Sequence, residues 1–517
     1  MLNYSETNKR ISPWIFFIAI FNILFHLAFY NTLGLHRDEL LYFSLGQHLS
    51  AGYASVPPFT GFIAWLVIHT LGYSELAIRI IPAVLSGVLV IIVACAAKEM
   101  GGGNFSQIIA AITLFVTAFN LRVFALFMPV CFDAVFWSLI FLIILKWMNT
   151  KEDKYLLIFG LFIGIAMLNK YLVVLEIFGL MLALFFSPYR IIFTKRSFWF
   201  SVGIALVIFL PNLIWQIKNE MPVFIHMRVL REHQLNYVNR LNFLTDQFSL
   251  ILMGTVLVIP GILYLGFSSK MKPFQPLVVT AFIVLVMLII LKGKSYYTIG
   301  LFPLLIAAGG VYWESKLYKM YSRILLSLAL LLITVPVLPL GIPVFKPGKL
   351  VGYCDYIKNK LGIDNYLRWE SGQIHSLPQD YADMLGWDEL ASITAKAYNQ
   401  VQDKRSAMIY ASNYGEAGAV MVLGKTYNLP EPVCFSESFF YWLPRNPAYE
   451  IKSLIYINDH LGDDIHDLFT DCTQVGQIEN PLSREYGTQV WLCTNPRNSF
   501  NAFWKEKLSQ ITNPFQY

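Results

Sequence analysis

WIFFIAIFNILFHLAFYNTLGLHRDELLYF, residues 14–43, joins an apolar run to a cluster of four side chains that can carry charge. The segment 12–33 can cross a hydrocarbon layer of ~30 Å. No A-x-A-like site follows the run, so it reads as a retained anchor and not a cleaved leader. His36-Arg37-Asp38-Glu39 then falls just beyond the membrane. Leu41, Leu45 and Leu49 recur at i, i+4 behind it, which predicts an interfacial helix over about 38–50. Gly52 and Val56-Pro57-Pro58 end that helix, and a second apolar segment follows at 59–72.

Composition extends the membrane reading to most of the chain. Of 517 residues, 56% are hydrophobic, only 14% are charged, and mean hydropathy is +0.54. Soluble chains carry about 25% charged residues, so this one lacks the polar surface to stand in water. Apolar runs predict about eleven to thirteen spans. Eleven are delimited: 12–33, 78–97, 105–120, 131–148, 155–169, 171–187, 198–215, 248–267, 276–292, 298–313 and 323–341. Lys9-Arg10, Lys146/Lys151/Lys154, Arg190/Lys195/Arg196, Lys270/Lys272 and Lys316/Lys319/Arg323 alternate onto one side, which the Lys/Arg bias makes cytoplasmic. The loops at 34–77 and 217–247 and the C-terminal tail then face outward.

Residues 1–341 hold 24 Lys+Arg against 13 Asp+Glu, and residues 342–517 hold 15 against 20. The expectation is a basic membrane domain over 1–341 and a soluble extracytoplasmic domain over 342–517. Basic residues scattered at span ends do not make a nucleic-acid footprint. In the tail, Ser406–Ser412 and Ile451–Ile457 read as buried strands and Ala382–Gln402 as a helix, which together predict an α/β layer domain. Four of the six cysteines are in the tail, and Cys472–Cys493 is the favoured pairing because a hairpin could join them. Gly101-Gly102-Gly103 follows no strand and reads as a tight turn, not a nucleotide loop.

Ionisable residues gather at the outer membrane face. Asp38 and Glu39 are joined there by Arg37, Arg79, Arg122, Asp133, Lys170 and Lys294, with Tyr296 and Tyr297 beside them. Charges at membrane depth are costly and usually line a cavity. The set suits transfer from a phosphate-linked donor. Phosphate leaves as a stable anion, one carboxylate serves as base for an acceptor hydroxyl, and cations stabilise the developing charge. Asp38 is the candidate base. Lys170, Arg122, Lys294 and Arg37 are candidate phosphate partners, and Tyr297 is a hydrogen-bond donor. Asp133 is placed to orient an acceptor, or to hold a divalent cation with Asp38 or Glu39.

HRDELLYFSLGQHLSAGYASVPPFTGFIAWL at 36–66 resembles the dolichyl-phosphate-mannose protein mannosyltransferase-like superfamily, that is, glycosyltransferase family 39 and its aminoarabinose-transferase relatives. FDAVFW at 132–137, GLFIGIAMLNKYLVV at 160–174 and KSYYTIGLFPLL at 294–305 resemble its later blocks. SNYGEAGAVMVLG at 412–424 and YWLP at 441–444 resemble the outer domain of bacterial members. The resemblance implies a polytopic GT-C membrane fold in a bacterial cytoplasmic membrane with a periplasmic tail. It also implies a polyprenyl-phosphate-linked sugar as donor, an envelope acceptor (lipid, glycan or protein), and inversion at the anomeric carbon. By position, Asp38 takes the catalytic acidic role and Asp133 the second. Leu41 stands where relatives acting on lipid A have Arg, and Val56 where they have Lys before proline. The chain therefore departs from the aminoarabinose transferases in its donor contacts. A polytopic transporter of an envelope precursor is the alternative, but the halves show no internal symmetry and the acidic motif lies in a loop.

Overall fold

The computed structural model describes residues 10–515, so Lys9 lies outside the described residues. The chain opens with α1 (Pro13–Leu27), α2 (Arg37–Gln47), α3 (Phe59–Leu71) and α4 (Glu75–Glu99). Among the described residues, seven helices are long and apolar enough to cross a membrane: Glu75–Glu99, Pro129–Thr150, Arg196–Lys218, Arg240–Phe267, Ser269–Ile290, Ser295–Lys316 and Met320–Gly341. Val173–Phe185 and Pro188–Thr194 make an eighth if their 112° bend is counted within one span. These eight correspond to eight of the eleven delimited segments. The other three, at 12–33, 105–120 and 155–169, hold helices of 15, 12 and 16 residues. At 1.5 Å per residue these are about 18–24 Å long. In the first two the apolar run outlasts the helix, because the chain turns at Ala28 and Val116 before the run ends; the third helix fills its segment, which is itself short.

Packing between the spans relies on small residues, as expected where lipid removes the hydrophobic drive. A Cβ on Gly261 would lie 2.2 Å from the Leu305 carbonyl oxygen, and one on Gly309 would lie 2.1 Å from that of Leu257. The helices Thr255–Phe267 and Phe302–Lys316 therefore touch backbone to backbone. Gly160 plays the same part against Ser201, at 2.2 Å from its carbonyl oxygen. Polar side chains tie α1 to its neighbours. His26 Nδ1 lies 2.9 Å from Asn22 O and Nε2 3.1 Å from Asn120 O, while Asn120 donates to Asn22 Oδ1 at 3.3 Å. The glycine triplet forms a turn, with Gly101 at φ +89°. The Glu314 carboxylate accepts from Gly103 N–H at 2.5 Å and Phe105 N–H at 3.1 Å. A carboxylate thus already caps the helix that follows.

The tail carries one sheet of β1 (Ala407–Ala411), β2 (Ser453–Asn458), β3 (Phe469–Gln477) and β4 (Gln489–Pro496), in the order β1-β2-β4-β3. β1 pairs parallel with β2, and the other two pairings are antiparallel. Both expected strands form, and the expected helix forms over Trp387–Gln400 after a separate turn at Gln379–Ala382. Cys472 and Cys493 face each other across β3 and β4 and are disulfide-bonded, as the hairpin argument anticipates. Cys354 and Cys434 are free and buried.

The start of α2 is held by a buried ion pair. Glu39 is wholly buried, and its Oε2 accepts from Arg79 at 2.9 Å and from His36 N–H at 2.9 Å. Its Oε1 accepts from Phe127 N–H at 2.8 Å and from Arg79 Nε at 3.4 Å. Arg79 also donates to the carbonyls of Tyr30 and Gly34. Removing one member of a buried pair strands the other, at about 3–5 kcal/mol. Arg79→Ala and Glu39→Ala should each lower the melting temperature of the detergent-purified protein, and the double variant should cost less than the sum of the two. Separately, Cys472→Ser should destabilise the tail by about 3 kcal/mol, the usual scale for a loop of this length. Non-reducing alkylation followed by mass spectrometry should find this pair alone protected.

Candidate functional site

Asp38 is the second residue of α2, and its half-buried carboxylate sits where the helix dipole favours negative charge. His36 caps the helix, its Nδ1 accepting from Asp38 N–H at 3.1 Å. The local order follows from the sequence: a cap residue, then two acids in the first turn, then apolar residues that bury against the protein. Leu40, Leu41, Phe43 and Leu45 are all buried. The apolar side of α2 thus meets protein. Part of that cover comes from the tail helix Tyr414–Val422, where a Cβ on Gly418 would lie 2.9 Å from Leu40 Cβ.

This docking brings Tyr414 to Asp38, with the hydroxyl donating to Oδ1 at 2.9 Å. Asn413 and Glu416 form a capping box at the start of the same helix, which fixes where Tyr414 emerges. Glu416 Oε2 accepts from Ser412 N–H at 2.8 Å, and burial pushes its carboxyl up to about 8. Sequence reasoning quoted this stretch as a family block without giving Tyr414 a role. The S-N-x-x-E capping pattern was the available signal.

The candidate cations divide into two groups. Arg79 is committed to Glu39. Arg122 is committed to Asp380, donating to Oδ2 through Nε at 2.9 Å and through a second nitrogen, with its guanidinium 4.3 Å from the centre of the Tyr381 ring. Arg37 lies 4.5 Å from the centre of the Tyr414 ring and 3.9 Å from Glu485. These three arginines therefore hold loop, membrane body and tail together, with acidic and aromatic partners that the tail supplies to Arg37 and Arg122.

Lys170 and Lys294 differ. Among the described residues, neither has a carboxylate within ion-pair distance. The Lys170 ammonium lies 4.7 Å from the Tyr297 ring centre and 5.2 Å from that of Tyr296. It also shares its surroundings with Asp133 and Lys294. Asp133 is buried and accepts from Trp137 Nε1 at 3.1 Å. Tyr296 lies within the field of both Asp38 and Asp380 and packs on Tyr297 at 4.9 Å. Asp38, Tyr296, Tyr297, Lys170, Lys294 and Asp133 thus share one region. Glu39 faces away, into its ion pair.

Among the described residues, Asp38, Glu39 and Asp133 belong to no cluster of metal-ligand atoms. Glu39 has both oxygens occupied, so it cannot join Asp38 or Asp133 around a cation. His36, Asp380 and Asp383 offer ligand atoms within 4.8 Å of one another. Yet Arg122 holds Asp380, Arg484 lies 3.3 Å from Asp383, and a neutral His36 that accepts at Nδ1 presents N–H from Nε2. Two guanidiniums already neutralise this cluster, and it reads as an ion-pair junction.

Residues 55–215 match the family model described as dolichyl-phosphate-mannose-protein mannosyltransferase. No curated protein matches by sequence. Among solved structures, the chain is similar to ArnT from Cupriavidus metallidurans bound to undecaprenyl phosphate. Identity is 14% over 93% of this chain and 98% of that one, with a TM-score of 0.58. The apo form of the same protein gives the same score. The arabinofuranosyltransferase AftD from Mycobacteria is 13% identical over 94% of this chain and 40% of its own, with a TM-score of 0.51. The chain thus has the GT-C membrane fold, and over residues 55–215 its sequence follows the dolichyl-phosphate-mannose-protein mannosyltransferase model, bearing out the resemblance read from its motifs.

Proposed function

We propose that this protein is an inverting membrane glycosyltransferase that moves a sugar from a polyprenyl phosphate to an envelope acceptor. The observation that carries the reading is Asp38, a half-buried carboxylate that shares one outer-face region with two lysines free of carboxylate partners. The fold shared with a protein solved with undecaprenyl phosphate supports it. Asp38 takes the proton of the acceptor hydroxyl, whose oxygen attacks the anomeric carbon. The bond from that carbon to the phosphate oxygen breaks, and the polyprenyl phosphate departs beside Lys170 and Lys294. No general acid is required because the leaving group is already an anion. Tyr414 orients the Asp38 carboxylate, Glu39 and Arg79 position the helix that carries it, and Asp133 with Trp137 borders the lysines. Residues 342–517 form the extracytoplasmic domain, on the periplasmic side of a bacterial inner membrane, a placement supported by the Cys472–Cys493 disulfide.

Envelope glycolipids and glycoproteins should be compared by mass spectrometry in cells lacking the protein, then restored with wild type or variants. Wild type should return one sugar to one glycan, and the mass difference names the sugar class. Asp38→Asn should restore nothing at equal expression, with transfer down by about 10²–10⁴, the scale of a lost general base. Full restoration by Asp38→Asn would remove Asp38 as base.

In membranes containing both substrates, Lys170→Ala and Lys294→Ala should each cut transfer by about 10²-fold, as removal of a donor on developing charge does elsewhere. Tyr414→Phe should cost only about tenfold, because it removes one hydrogen bond to a charged group. A larger loss from Tyr414→Phe than from either lysine would reverse the assignment.

A further inference from the structure

Glu437 is a second carboxyl of the Asp38 region, and nothing above uses it. It begins the short turn Glu437–Trp442 of the tail and is 8% exposed. Its backbone lies in the left-handed region at φ +57°, a conformation that a non-glycine residue adopts only when its surroundings impose it. Two hydrogen bonds hold the turn in place: Glu437 N–H donates to Pro514 O at 3.0 Å and Ala54 N–H donates to Ser438 Oγ at 3.0 Å, while Ser55 lies beside the Glu437 carboxyl and favours its charged form. Among the described residues, one carboxyl oxygen, Oε2, is buried with no hydrogen-bond partner. A buried polar atom without a partner is rare and calls for an explanation. Asp38, Tyr42, Tyr414, Tyr441 and Cys434 are the titratable groups that share electrostatic coupling with this carboxyl or surround it.

The far end of the same turn lines a pocket. Tyr441 and Trp442, with Trp215, Asn219 and Arg445, border a space of about 270 Å³ at the outer end of the span Arg196–Lys218. Trp442 stacks on His48 at 4.1 Å, at the end of α2, while Asp38 is near its start. Ten residues of helix separate these two by about 15 Å, the reach of two to three sugar rings. Aromatic faces beside an amide and a guanidinium suit a pyranose, whose C–H face stacks while its hydroxyls hydrogen-bond. The donor phosphate does not belong beside Glu437, because the lysines that would hold it are supplied by the membrane body.

Resting on the transferase reading, we infer that Glu437 reads the acceptor, its unpartnered Oε2 hydrogen-bonding an oxygen of a saccharide whose next ring lies on Tyr441, Trp442 and Trp215. The acceptor is therefore a glycan chain and not a peptide hydroxyl. Burial, and then the charge of Asp38 against the relief given by Ser55, push the Glu437 carboxyl up to about 7. It is neutral below that pH and ionised above it. A hydrogen bond that it donates to the acceptor is present below pH 7 and is lost as pH rises through 7.

The test uses purified full-length protein in nanodiscs, with the glycan and the lipid-linked donor extracted separately from cells lacking the protein. Glu437→Leu should raise the half-saturating glycan concentration at least tenfold and leave that of the donor extract within about twofold. Trp215→Leu, whose ring meets Tyr441 edge-on in the same pocket, should do the same. Wild-type glycan affinity should fall between pH 6 and 8, whereas Glu437→Gln, whose amide donates at every pH, should keep its affinity. Unchanged glycan dependence in Glu437→Leu and Trp215→Leu, with wild-type transfer intact, overturns the inference alone. Should Glu437→Leu not fold, an identical pH response in wild type and Glu437→Gln overturns it as well. Absence of transfer by wild type overturns the function on which it rests.

Discussion

A guanidinium closed over a carboxylate at the mouth of the membrane body sets the position of everything that could react. Arg79 on α4 and Glu39 on α2 are both buried, and the carboxylate also takes backbone N–H groups from His36 and Phe127. One side chain thus ties together the start of α2, the long helix α4 and the loop ahead of Pro129–Thr150. Such a pair adds little net stability compared with a well-packed apolar substitute. What it fixes is orientation. With Glu39 turned inward, its neighbour Asp38 is held on the adjoining face of the first helical turn, toward Tyr414 and the tyrosines at 296 and 297.

The tail is a structural part of the site and not a lid above it. Tyr414 reaches Asp38, Asp380 takes Arg122, Glu485 and Tyr414 flank Arg37, and Trp442 stacks on His48. Each contact joins the membrane body to the tail. Cations that look free in the linear sequence are therefore neutralised by partners more than 250 residues away. Lys170 and Lys294 remain, each without a carboxylate at ion-pair distance among the described residues and with Lys170 lying over the rings of Tyr296 and Tyr297.

Much of this was legible in the sequence, for identifiable reasons. Apolar runs are local signals that mark the membrane body, the loop holding Asp38 and two of the four tail strands, while the placement of the cysteines marks the hairpin disulfide. Helix ends were less legible: residues 105–120 are apolar almost throughout, yet the helix stops at Phe115. The roles of the arginines were hidden because charge in a sequence does not reveal its counter-ion. Glu39 beside Asp38 looked like a pair of equivalent acids, and only the fold separates them. Glu437 carried no local signal at all, since its character comes from a left-handed backbone and from Ser55, far away in the chain.

The contact between Gly418 and Leu40 has a consequence for how such proteins can diversify. Because a single added carbon would collide there, the tail helix and α2 meet with no slack. A tail grafted from a distant relative would need its own glycine at that point and its own tyrosine one helical turn before it. Change of acceptor would then proceed through loops such as 431–445, which border the site without bearing on α2's backbone. Membrane body and tail would be inherited as one unit, while their rim is free to vary.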